Sequence, residues 1–61
     1  MRTTILASID KNRGVWVLEY RDTMGDLVVE ETVFPADMPS IVVCDELQKD
    51  RPLAAVFAKL N

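Results

Sequence analysis

Residues 10–25 read DKNRGVWVLEYRDTMG, and the division of this stretch into turn, strand and turn decides the fold. Val15 to Arg21 is dense in β-branched and aromatic residues, the side chains that suit a pleated, half-buried surface. Asp10-Lys11-Asn12-Arg13-Gly14 precedes it. Asn12 and Gly14 tolerate positive φ, and the Asp10 carboxylate can accept from the turn backbone, so this segment has the chemistry of a hairpin loop. Asp22-Thr23-Met24-Gly25 follows, with aspartate first and glycine last, the pattern of a type I turn closed by a left-handed glycine. Thr3 to Ile9 alternates around Ile5, Ala7 and Ile9 and predicts a strand before the first turn, and Leu27 to Phe34 predicts another after the second. The first half of the chain is thus expected to be a three-stranded antiparallel meander.

Pro35 and Pro39 end it, because neither can donate to a sheet ladder. Beyond them the spacing predicts a helix from a Ser40 cap to about Lys49, with Ile41, Cys44 and Leu47 on one face. A short strand over Ile41 to Cys44 competes with it, since periodicity does not decide a four-residue apolar run. Asp50 as N-cap and Pro52 in the first turn predict a second helix, with Leu53, Val56, Phe57 and Leu60 at i, i+3, i+4 and i+7. The expected class is α+β, βββα or βββαα, in one domain spanning residues 1–61.

Centring the first turn on Asn12 and the second on Met24 assigns the two faces of the sheet. Ile5, Ala7, Ile9, Val15, Val17, Leu27, Val29 and Val33 fall on one face; Leu6, Trp16, Leu18, Tyr20, Val28 and Phe34 fall on the other, with Glu30 and Thr32 among them. A slip of one residue inverts a strand, and a bulge breaks the parity. Both faces are apolar, whereas at most two short helices are available to cover one of them. The face bearing Trp16, Leu18, Tyr20 and Phe34 is therefore the expected interface, because contiguous exposed apolar surface and clustered aromatics mark binding sites; the alternative is that the helices straddle the sheet, or that one strand is misplaced, and the aromatics are ordinary core.

Sixty-one residues bury only about 60% of the surface that they expose when unfolded, so a small core gains from association. The composition is 49% apolar and 28% charged, too hydrophobic for a disordered tail. No apolar run approaches the roughly 20 residues of a membrane span, no targeting address is visible, and the cytoplasm is the expected compartment. The net charge of −3 is uneven. Residues 26–50 hold seven acids, among them Asp26, Glu30, Glu31 and Asp37, against Lys49 alone, for a local charge of −6. Such a field attracts basic partners and repels nucleic acid.

The chemistry-bearing residues are few. The chain has no histidine, hence no Ser-His-Asp arrangement and not the commonest general base. Cys44, the single cysteine, has no disulfide partner, and the acids Asp45 and Glu46 beside it disfavour a thiolate. Glu30 and Glu31 are adjacent in a strand and point to opposite faces. Asp22 and Asp26 flank Gly25 as turn residues do and lack the spacing of a calcium loop, and two glycines write no phosphate-binding fingerprint. No catalytic residue, metal site or cofactor is expected. The expectation is a non-enzymatic protein-interaction module, a homodimer that occupies a surface of a larger protein. Trp16, Leu18, Tyr20 and Phe34 would anchor it, while Asp26, Glu30, Glu31 and Asp37 steer a basic partner or partly mimic phosphate. Its size and acidity are those of the small inhibitors and regulators that phages and mobile elements encode, an analogy only. The alternative is a nucleic-acid-binding or regulatory subunit that uses Arg2, Lys11, Arg13 and Arg21, with Trp16 and Tyr20 stacking on bases.

Overall fold

The computed structural model describes residues 3–59. Strands β1 (Thr4–Asp10), β2 (Val15–Arg21) and β3 (Leu27–Pro35) form the expected antiparallel meander, followed by helix α1 (Ser40–Asp50) and a fourth strand, β4 (Ala55–Ala58). The sheet order is β3-β2-β1-β4, with β4 parallel to β1. Because β3 and β4 run the same way on opposite edges, the chain between them must cross the sheet, and α1 makes that crossing. The protein is α+β with a mixed four-stranded sheet and one helix.

The predicted second helix is replaced by β4, for a local and a tertiary reason. Pro52 occupies the second position of a β-turn closed by the Ala54 amide on the Arg51 carbonyl at 3.0 Å. A proline φ near −65° suits that position as well as the first turn of a helix, so the sequence signal is shared. Gln48 holds the turn from α1, its Nε2 donating to the carbonyls of Ala54 at 2.7 Å and Arg51 at 3.2 Å. Residues 55–58 then find the unpaired edge of β1. The Ala55 amide donates to Thr3 at 2.8 Å and the Lys59 amide to Ala7 at 2.7 Å. A four-residue piece is too short to hold a helix without tertiary support, and the ladder satisfies it. Leu60, the last residue of the helical pattern, lies outside the described residues.

Helix α1 also starts differently from the expectation. Pro39, with φ −61° and ψ 142°, is the N-cap, and no side chain caps the helix. Its carbonyl receives the Val42 and Val43 amides at 3.1 Å, so Ser40 is already helical. The buried stripe is Val43 and Leu47, one turn apart; Cys44 is half-buried and Ile41 is 79% exposed. The competing strand over residues 41–44 is not formed.

The register of the first hairpin reorganises the faces. Asp10 pairs with Val15 across a four-residue loop, closed by the Gly14 amide on the Asp10 carbonyl at 2.8 Å. Gly14, at φ +70°, belongs to the loop rather than to the ladder, and the turn centres between Asn12 and Arg13. This half-step inverts β1 relative to β2: Ala7 faces Leu18 and Ile9 faces Trp16. The second hairpin keeps the expected register, with Leu18 opposite Glu30 and Tyr20 opposite Val28. Ile5, Ala7, Trp16 and Leu18 therefore share one face and pack with Val43, Leu47 and Ala54 into the core, flanked by Tyr20, Phe34, Met38, Val56 and Ala58.

A bulge interrupts the β2–β3 ladder between Val15 and Val17, where four residues of β3 advance against two of β2. Thr32 bridges it, its hydroxyl donating to the Trp16 carbonyl at 2.7 Å and accepting from the Phe34 amide at 3.1 Å. Trp16 donates its indole N–H to the Met38 carbonyl at 3.1 Å, which ties the chain entering α1 to the middle of the sheet. Every buried side-chain nitrogen and oxygen among the described residues has a partner.

Candidate interaction surface

The sheet face opposite α1 is uncovered. One row crosses all four strands, Phe57–Leu6–Glu19–Val29, and the neighbouring rows bring Ser8, Val17 and Glu31, then Arg21 and Leu27, onto the same face. Its apolar residues stand open to solvent: Val33 is 91% exposed, Val29 60%, Phe57 55% and Leu27 52%. Monomeric proteins seldom expose a contiguous apolar patch beyond a few hundred Å² without using it. Charges punctuate the patch. Arg13 leans from the first loop onto Glu31, with Asp10 at 3.7 Å behind it. Glu19 makes no ion pair among the described residues, whereas Arg21 donates to the Gly25 carbonyl at 3.1 Å.

The structure corrects the expected anchor. Trp16 and Leu18 are each 2% exposed, and Tyr20 and Phe34 are half-buried beside them, so the aromatic face is the core face. The reason is the inversion of β1, which brings Ile5 and Ala7 beneath α1 together with the aromatics. Leu6 and Phe57, which the sequence reading put elsewhere, join Val29 and Leu27 on the open face. The signal that could have found them is loop length: with Gly14 counted in the loop, Leu6 leaves the aromatic face. Phe57 carried no such signal, because its helical spacing is real.

The four acids singled out do not form one surface. Asp26 closes the second turn, accepting from the Asp22 amide at 3.0 Å through its carbonyl and donating its own amide to the Asp22 carboxylate at 2.9 Å. Asp37 lies exposed in the turn after β3. Glu31 faces the open side and Glu30 the helix side. Glu30 accepts from the Tyr20 hydroxyl at 2.8 Å and from Arg51 at 3.4 Å, and Arg51 also lies over the Tyr20 ring, 5.8 Å from its centroid. The Tyr20 hydrogen bond, followed by Arg51, holds the Glu30 carboxyl below the ordinary glutamate value. The same bond pushes the Tyr20 phenol up. This cluster borders an open groove of about 410 Å³ between α1 and β3, whose walls include Thr32, Phe34, Glu46 and Asp50. Its carboxylate, phenol and guanidinium hold one another, so the cluster works as a strut from sheet to helix end.

Burial pushes the Cys44 thiol up, away from the reactive thiolate. Trp16 is enclosed and Tyr20 is engaged by Glu30 and Arg51, so neither offers a free face for base stacking. Of the cationic set, Lys11 and Arg13 sit in the first loop and Arg21 at the end of β2, while Arg2 lies outside the described residues. Among the described residues no group of three His, Cys, Asp or Glu converges to hold a metal ion. No described helix is long and apolar enough to cross a membrane. Comparison with protein-family models, with characterised proteins and with solved structures finds no match to this chain.

Proposed function

We propose that this chain is a non-catalytic protein-interaction module that acts by burying its open sheet face against another polypeptide chain. The observation that carries the reading is the exposure of Leu27, Val29, Val33 and Phe57 together on one side of a sheet whose other side carries the core. Burying such a patch is favourable by roughly 25 cal/mol per Å² of apolar area, and the charges within it, Glu19, Arg21 and the Arg13–Glu31 pair, supply orientation. A small regulator or inhibitor of this kind needs no reactive group. Asp26 and Asp37, exposed at the two ends of β3, favour basic surroundings on the partner.

The test is a photo-crosslinking amino acid placed at Val29 and, in a separate sample, at Ile41, a still more exposed site on the helix. The expected result is a discrete adduct from position 29 only, abolished by Phe57→Glu in a chain that melts as before. Adducts from both positions, or from neither, overturn the reading.

A further inference from the structure

The ladder registers fix which residues lie level with one another on the open face, and we infer that its occupant is a second copy of this chain, stacked about a twofold axis. This rests on the interaction-face reading above and names its partner. In an isologous pair every contact occurs twice, residue i on j and j on i, so the face must be complementary to its own rotated image. Consider an axis lying in the interface, perpendicular to β2 and level with Tyr20. The two β2 strands then run antiparallel across the sheet-to-sheet spacing of about 10 Å. Glu19 of each copy lies over Arg21 of the other.

The same axis has consequences on every strand, through the pairings already described. It is level with Ile5 in β1, with Val28 in β3 and with Val56 in β4. Leu6 is thereby set over the second copy's Thr4, and Phe57 over its Ala55, a large side chain over a small one each time. Leu27 meets Val29. The exposed Met24 turn laps over the second copy's Val17 and Val33, the part of the face that the strands themselves leave open. Moving the axis by one residue along β2 destroys this, because level with Glu19 it sets the two Glu19 carboxylates against each other.

Charge and area agree with the arrangement. Glu19 lacks an ion-pair partner among the described residues. Arg21 spends one N–H on the Gly25 carbonyl and keeps the rest of its guanidinium fork for a carboxylate. Strands about 4.8 Å apart and rising about 3.3 Å per residue give a face of roughly 400 Å² in projection. Two such corrugated faces bury on the order of 1,000 Å², which is where specific interfaces begin. At that size two reciprocal Glu–Arg contacts decide whether the pair holds.

The experiment measures mass in solution by light scattering, from about 10 µM to about 1 mM, a range that brackets the affinity of a small interface. Wild type is expected to reach twice 6.9 kDa. Glu19→Arg alone puts Arg over Arg and Arg21→Glu alone puts Glu over Glu, each twice per dimer. Each is expected to weaken association at least about 100-fold and to leave a folded monomer. Mixed in equal amounts, the two variants restore opposite charges at both contacts and are expected to form a heterodimer; the double variant E19R/R21E is expected to dimerise by itself. A wild type that stays monomeric throughout, single variants that remain dimeric, or folded single variants that do not recombine overturn the proposal. Should a charge reversal unfold the chain, Val29→Arg takes its place, and a folded Val29→Arg dimer overturns it equally. A monomer that still crosslinks to a larger protein from position 29 overturns the second copy and leaves the interaction face standing. Absence of both overturns both.

Discussion

Replacing Trp16 by phenylalanine tests which side of the sheet is the core, because the two assignments of the faces predict opposite results. In the structure the indole is 2% exposed and donates to the Met38 carbonyl at 3.1 Å. Losing that hydrogen bond costs about 1 kcal/mol. The smaller ring also gives up buried area and leaves a gap, for about 1–2 kcal/mol more. The sum, about 2–3 kcal/mol, is a large part of the roughly 3–9 kcal/mol expected for a domain of this size. At about 4–8 °C per kcal/mol, the melting temperature should fall by roughly 10–20 °C. The comparison is Val33→Ser, at a position 91% exposed on the opposite face, where a change within about 0.5 kcal/mol is expected. Both variants and the wild type are melted by far-ultraviolet circular dichroism at one low protein concentration, so that association contributes equally to each. If Val33→Ser costs as much as Trp16→Phe, or more, the core lies on the other side of the sheet and the open face is not the one described.

Two further outcomes follow from particular residues. Gly25 has φ +84° and nothing within 4 Å of the position where a Cβ would stand, so Gly25→Ala meets no clash and should lose about 1–2 kcal/mol to backbone strain alone, read as a lowered urea midpoint with an unchanged slope. Glu30 is held below its ordinary value by Tyr20 and Arg51, so its contribution is present at neutral pH and lost as the pH falls through that depressed value. The side chain is 42% exposed and solvent screens it, so the effect is small. Wild type should melt slightly above Glu30→Gln at pH 7, and the two curves should converge toward pH 3; a constant gap would show that the charge is not what Glu30 contributes.

The meander, the helix after Pro39 and the apolar character of both sheet faces were legible in the residues, because each depends on neighbours close in sequence. Turn chemistry at Asp22–Gly25 needs only four residues, and the β-branched and aromatic run Val15–Tyr20 signals a strand wherever it is placed. The helix could be expected for the same reason, although its buried face could not. Whether Val43 or Ile41 turns inward depends on how α1 lies across the sheet, and that is a matter of packing.

What tertiary structure decided was parity and partnership. One loop residue, Gly14, separates a sheet in which Trp16 shares a face with Leu6 from one in which it shares a face with Ala7. No local energy distinguishes the two. The choice falls to the core, where Trp16, Leu18, Ile5 and Ala7 together meet Val43 and Leu47. The segment 53–58 carries a true helical spacing and becomes an edge strand, since the free edge of β1 offers its inner backbone groups a ladder. Composition and periodicity announced that an apolar sheet face would be left uncovered. Which face it is, and that Glu19, Arg21, Val29 and Phe57 line it, follows from long-range pairing, in which a shift of one residue exchanges inside for outside.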